Sequence, residues 1–402
     1  MHVTDSPGVL RTERLTLEGV GATDAVGLNL SDLPWDRVDE ALRQQWTALV
    51  RSSGLNPSLR PDWLEAAALA WGLLGSVRVA VFTRNGAVVA VIPFRLHKRR
   101  ISGLPVRTLE LAGNIVSYHQ EIVAGEERSA CLEAFVAHAR RYPWDALVVG
   151  NVTIGGPTEE ALRSLPSDAV GYRVVHAGEV SPYLELPRDW ASFVASRRPS
   201  FRYRLRRAER DVGRLDASDM RWYREEGVCQ ELLSHMVAID ERSWKVQEGM
   251  NIAARPQERQ YYELLLPVMA RAGVLFANVL RLGGRPVAYS LCYAAGGQVG
   301  QMKTSYDESL AKERPGFLAT VASVRRAAEE GFCEYDFLGD AMRHKWDWTD
   351  DARAHTTHLI FRRSSRGLLL GAAKRFIRLV TRSRLGRAVH SETASVRETR
   401  DE

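Results

Sequence analysis

The sequence predicts an α/β protein built of two tandem units, each a mixed, mainly antiparallel sheet flanked by helices. Residues 77–96, VRVAVFTRNGAVVAVIPFRL, read as strand, Asn85-Gly86 turn and strand, and residues 274–293, VLFANVLRLGGRPVAYSLCY, repeat that layout around Gly283-Gly284. Each hairpin is followed by a helical pattern that leads into a short apolar strand, residues 128–141 into 146–149 and residues 318–330 into 335–338. A length of 402 residues is more than one typical core needs, so the repeated order reads as a duplication.

Taken along the chain, residues 1–38 form an extension, 39–170 the first unit, 171–362 the second and 363–402 a basic amphipathic tail. The boundary is expected within 164–177, where polar and small residues interrupt the pattern. Residues 196–215, SRRPSFRYRLRRAERDVGRL, form a basic block. Read as a helix after Pro199, it sets Phe201, Leu205, Ala208 and Val212 on one face and arginines around most of the rest.

The densest stretch is 283–348. Val287, Tyr289, Leu291 and Tyr293 alternate with small and polar residues as a strand does, Gly296-Gly297 permits a reversal, and 299–304 is the partner strand. After a polar loop, Phe317, Leu318, Val321, Val324 and Ala328 recur at helical spacing, with Gly331 as the C-cap. This helix opens on Arg314, Pro315, Gly316 and Phe317, where free backbone N–H groups suit a pyrophosphate. An ordinary helix start has the same look. The third strand ends on Asp336, and an acid at such a strand end lies where open α/β sheets place their ligands.

Composition narrows the function classes. No apolar run approaches the roughly 20 residues that cross a bilayer, and MHVTDSPGVLRTERLTLEG lacks a basic start followed by an apolar stretch, so a cytoplasmic setting is expected. Cys131, Cys229, Cys292 and Cys333 are scattered, as buried reduced thiols are. A net charge of +6 suits an anionic cofactor, an anionic carrier or a membrane surface. Residues 367–387 mix leucines with basic residues and read as an interfacial helix or as one packed on its own domain. His355 and His358, three apart on a predicted strand, face opposite ways and make no metal site.

The segment 283–348 resembles the core of the GNAT acyltransferase superfamily, most closely the cellulose- and polysaccharide-biosynthesis-type acetyltransferases, and the plan of two fused units resembles the Fem-type peptidyltransferases. The family's D-F-x-G motif followed by a Tyr/His-Lys pair stands here as Asp336, Phe337, Gly339, His344 and Lys345, with Trp346 at an aromatic position. The usual pyrophosphate fingerprint does not match, since Glu313 and Leu318 occupy its outer positions around Gly316. The resemblance implies an acetyl-CoA or other acyl-CoA co-substrate, no metal, and transfer to the nitrogen or oxygen of an amino sugar, a polysaccharide precursor or a small amine.

Acyl transfer needs a base, oxyanion donors and an acid for the leaving thiolate. Asp336 or Asp340 is the expected base and Tyr306 the acid, while backbone groups near Tyr293, with Arg314, Gly316 and Phe317, would hold the cofactor. Lys345, Trp346, His344, Glu241, Trp244 and Tyr118 are the expected acceptor-site residues, and His119 is placed to face the cleft between units. Plainer roles compete: Asp336 capping the turn before Gly339, Lys345 as a surface charge. Two other readings fit the same plan. One is a Fem-like transferase using aminoacyl-tRNA, with the basic helix from Arg202 to Arg210 on RNA phosphates; the other is a non-catalytic scaffold that attaches to an envelope-synthesis complex through its basic tail.

Overall fold

The computed structural model describes residues 22–23, 27–115, 119–168, 170–186, 189–214, 218–339 and 341–374. Tyr118, Asp340 and the tail beyond residue 374 therefore lie outside the described residues. The chain runs β1 (Ala22–Thr23), β2 (Asn29–Pro34), α1 (Glu40–Ser52), α2 (Pro61–Ala70), β3 (Val77–Arg84), β4 (Ala87–Ile101), β5 (Leu104–Leu111), β6 (Val123–Ala124), α3 (Arg128–Ala139), β7 (Ala146–Thr153), α4 (Pro157–Ser164) and β8 (Val170–Glu185). It continues through α5 (Trp190–Ser196), α6 (Pro199–Gly213), β9 (Ser218–Tyr223), α7 (Cys229–Asp240), α8 (Pro256–Arg271), β10 (Leu275–Leu282), β11 (Arg285–Ala295), β12 (Gln298–Tyr306), α9 (Pro315–Glu329), β13 (Glu334–Asp336) and β14 (Ala352–Arg362).

The repeat is visible in the pairing. Strands β2, β3, β4 and β5 pair antiparallel in sequence, and β7 then lies parallel to β5. Strands β9, β10, β11 and β12 do the same, with β13 parallel to β12. The hairpin turns at Asn85-Gly86, Gly283-Gly284 and Gly296-Gly297 all have positive φ at both central residues, the geometry whose twist matches paired strands.

The two halves fuse into one sheet, in the order β1-β2-β3-β4-β5-β7-β14-β8-β13-β12-β11-β10-β9, with β6 beside β4. The last strand, β14, leaves the second half and inserts between β7 and β8. Strand β8 in turn pairs with β14 along most of its length and with β13 through Tyr183, Leu184 and Glu185. The stretch 164–177, read from sequence as a break between units, thus holds the start of a 16-residue strand shared by both. Within the strand Gly171 and Tyr172 are half-buried and Arg173 is exposed, between the buried Val170 and Val174.

Helix α6 buries Phe201, Leu205, Ala208 and Val212, the four apolar positions of its sequence pattern, against α9 and the sheet. Helices α7 and α8 cover the opposite face, and α2 of the first unit joins them through Trp63, whose indole N–H donates to Tyr261 Oη at 2.8 Å. The two units therefore share a core. The start of the tail packs on the first unit: in the helical residues 365–374, Arg366 pairs with Asp145 at 3.2 Å and Lys374 Nζ donates to Ser102 Oγ at 2.7 Å. Among the described residues no helix is long and apolar enough to cross a membrane.

Candidate active site

The parallel pairing of β12 with β13 lasts three residues, Gln298–Gly300 against Glu334–Asp336, and beyond it the two strands separate. Met302 is an extra residue in β12, because the register with β11 jumps from Leu291↔Lys303 to Cys292↔Gln301, and a bulge of this kind bends a strand locally. Past the bulge, Asp307 N–H bonds Val287 O. By antiparallel alternation the pairs Ala288↔Tyr306 and Ser290↔Thr304 are then the non-hydrogen-bonded ones, so Thr304 and Tyr306 turn their peptide groups away from β11 and into the opening.

Helix α9 starts at the far end of this opening. Arg314 adopts a left-handed conformation (φ 56°, ψ 48°), Pro315 supplies the first turn, and no side chain caps the helix. The first intrahelical bond is Leu318 N–H to Arg314 O, so the N–H groups of Gly316 and Phe317 have no helical acceptor. A Cβ on Gly316 would come within 2.8 Å of the Tyr306 ring. Tyr306, Arg314, Gly316 and Phe317 therefore meet at one place. Phe317 itself packs among Phe201, Trp348 and the Arg204 guanidinium, so it serves the core there.

At the near end stands Asp336, 2% exposed. Its Oδ1 accepts the Leu338 N–H at 2.8 Å, fixing a turn in which Leu338 and Gly339 both have positive φ. Its Oδ2 lies 2.9 Å from Arg353 Nη1 and 3.7 Å from His119 Nε2. Arg353 also pairs with Glu334 and lies 4.1 Å above the Tyr183 ring. Burial pushes the Asp336 carboxyl up to about 6, against the pull of the Leu338 N–H and the Arg353 guanidinium. His119 packs edge-on against His355 with ring centroids 4.4 Å apart, and burial first, then neighbouring charge, drops them to about 3 and about 4. Both imidazoles are neutral at physiological pH.

Residues 199–346, which hold Asp336, Tyr306 and the start of α9, match the family model described as an acetyltransferase (GNAT) domain. A conserved protein of unknown function from Bacteroides thetaiotaomicron VPI-5482 superposes with a TM-score of 0.56 at 12% identity, over 80% of this chain and 97% of that one. FemX superposes with a TM-score of 0.54 at 12% identity, over 80% and 96%. The C-terminal (DUF2156) domain of a putative lysylphosphatidylglycerol synthetase from Agrobacterium fabrum gives 0.50 at 11% identity, over 83% and 95%. No curated protein matches the sequence. Residues 199–346 form a GNAT-type domain, and the chain as a whole shares the fold of these solved structures, with two units of the same strand order.

Within the second GNAT unit several expected residues prove to have other work. Tyr293 lies on β11, one strand away from the opening, and is fully buried; its ring covers Gly300 and its Oη accepts from Asn56 Nδ2 of the first unit at 2.8 Å. Its backbone is paired within the sheet and offers nothing to a cofactor. Lys345, expected to neutralise a phosphate or carboxylate, is buried and donates to the Leu338 carbonyl, because a buried ammonium must find acceptors. Trp346 is 37% exposed and donates to the Ala341 carbonyl at 3.3 Å, and His344 is exposed.

Glu241 caps the end of α7 and is exposed, and Trp244 begins a separate short turn, Trp244–Val246, because α7 already stops at Asp240. That segment runs beside the outer end of β12, where Glu308 N–H bonds Arg242 O. The next residue, Lys245, was not singled out by sequence, yet its Nζ donates to the Thr304 carbonyl at 2.7 Å. It belongs to a buried polar group with Lys303, Asp240, Glu258 and Tyr289, in which Lys303 meets Glu258 at 2.6 Å and Tyr289 Oη donates to Asp240 at 3.0 Å. Burial and then Lys303 lower the Lys245 ammonium to about 8. A lysine inside the strand pattern at 303 was the available signal, but its partners sit on α7 and α8. His355 and His358 have separate surroundings, His358 lying 4.0 Å from Glu159, and among the described residues no three His, Cys, Asp or Glu side chains converge as a metal set.

Proposed function

We propose that this chain is an acyl-CoA-dependent transferase, acetyl-CoA being the simplest donor, acting in the cytoplasm on the amine or hydroxyl of an amino sugar, a polysaccharide precursor or a small amine. One observation carries the reading: the opening between β12 and β13 runs from the uncapped start of α9, past the Thr304 and Tyr306 peptide groups that turn away from β11, to a carboxyl whose pKa is raised to about 6. The α9 N–H groups suit a pyrophosphate, and the Thr304 N–H is a donor for the thioester oxygen.

The acceptor nitrogen or oxygen attacks the thioester carbonyl and gives its proton to Asp336, which releases it to solvent; the C–S bond then breaks and the thiolate takes a proton from solvent, since Tyr306 stands at the far end of the opening beside the α9 N–H groups. A carboxylate with a pKa near 6 is mostly ionised at pH 7 and basic enough to accept that proton. Calorimetric titration with acetyl-CoA and a longer acyl-CoA, beside a bulk aminoacyl-tRNA control, tests the donor class. Micromolar binding of a thioester supports the proposal, and binding of RNA alone replaces it with the aminoacyl-tRNA reading.

A further inference from the structure

The acid of the second unit is enclosed by groups of that unit and by one from the first. Strand β13 itself brings Glu334, β11 brings Tyr293, β8 brings Tyr183, and β14 brings Arg353 with His355 behind it. The turn after β13 adds the Leu338 N–H, backed by Lys345. His119 comes from farther away, from the segment joining β5 to β6 in the first unit, and sets its Nε2 3.7 Å from the carboxyl. Its side chain is only 12% exposed, so the contact is made in a water-poor junction. Of the cationic groups, Arg353 is shared between two carboxylates, Glu334 and Asp336.

We propose that His119 is a positioning residue for the acyl transfer: a neutral imidazole, lent by the first unit, that orients the Asp336 carboxyl and sets its proton affinity. The base is thereby assembled from both units. This rests on the reading of Asp336 as the base. The imidazole of His119 is itself wedged by His355, whose Nδ1 lies 3.4 Å from Thr153 Oγ1 on β7, so its orientation is fixed by the first unit's sheet.

The test uses the full chain and two variants, His119→Leu and His119→Gln. The ionisation of Asp336 is followed by infrared difference spectroscopy, with Asp336→Asn identifying its band, and the pH dependence of turnover is measured alongside. In the unaltered chain the carboxyl is expected to titrate near 6. His119→Leu, which replaces a polar ring by an apolar group, should raise that midpoint by about one unit and carry the acid limb of kcat with it, leaving KM for the thioester unchanged. His119→Gln, which keeps an N–H, should restore most of the difference. An Asp336 band that titrates at one pH in all three proteins overturns the proposal. A band that moves while the rate profile stays put upholds the contact and overturns Asp336 as the base.

Discussion

Tyr293 and Gly300 face one another across the β11–β12 pairing, and the ring of the first occupies the place where a side chain on the second would stand. A Cβ at Gly300 would come within 2.3 Å of the ring and 2.6 Å of its hydroxyl oxygen. Gly300 is also the last β12 residue paired with β13, opposite Asp336. The glycine thus lets one aromatic ring lie flat over the point where the sheet begins to open, and connects that point to Asn56 of the first unit.

Gly300→Ala is expected to destabilise the protein by about 1–3 kcal/mol through overpacking. A double variant with Tyr293→Leu should be more stable than the sum of the single effects predicts. Urea unfolding of the four proteins measures this, and strict additivity would show that the ring and the glycine are not in conflict.

Asp336→Asn should cut turnover by about 10²–10⁴-fold with an unchanged circular dichroism spectrum. In the unaltered chain, turnover should be full above the Asp336 midpoint near 6 and fall as pH drops through it, since a base must be ionised. Stability has the opposite sign. Because burial raises the folded carboxyl above its ordinary value, its favourable contribution is present at low pH and lost as pH rises through about 6. Asp336→Asn should therefore cost no stability at pH 8, and a large loss there would assign Asp336 to the fold alone.

Glu110 on β5 supplies a pH test of the first unit. Burial raises its carboxyl, but His97, Arg95 and Arg99 more than offset this and hold it down to about 2. Its contribution should be present above the unfolded value near 4.5 and disappear as pH falls toward 2. Glu110→Gln is expected to lower stability by roughly 3 kcal/mol at pH 7 and by much less at pH 2.5. Denaturant titrations at the two pH values decide it, and equal losses at both would contradict the assignment.

A chain ending at residue 351 lacks β14, which pairs with β7 on one side and β8 on the other. The first unit should then fail to fold although residues 39–170 are intact, and supplying residues 352–402 as a separate polypeptide should restore it. Cooperative melting of the shortened chain at the original temperature would refute this.

Local order was legible wherever neighbouring residues determine it. The hairpins at Asn85-Gly86 and Gly283-Gly284, the buried face of α6 and the strand ending on Asp336 all follow from spacing and turn chemistry that act over a few residues. The plain reading of Asp336 as a turn cap was legible for the same reason, and the Leu338 N–H does bond it. What only the tertiary structure decided are the pairings of groups far apart in the chain: β14 beside β7, His119 beside Asp336, Lys245 on the Thr304 carbonyl, Asn56 on Tyr293. A buried histidine or lysine shows in sequence only as a polar residue near apolar ones. Its partner is chosen by how the sheet closes and the helices pack, and burial then forces each such group to find a partner or change its proton affinity.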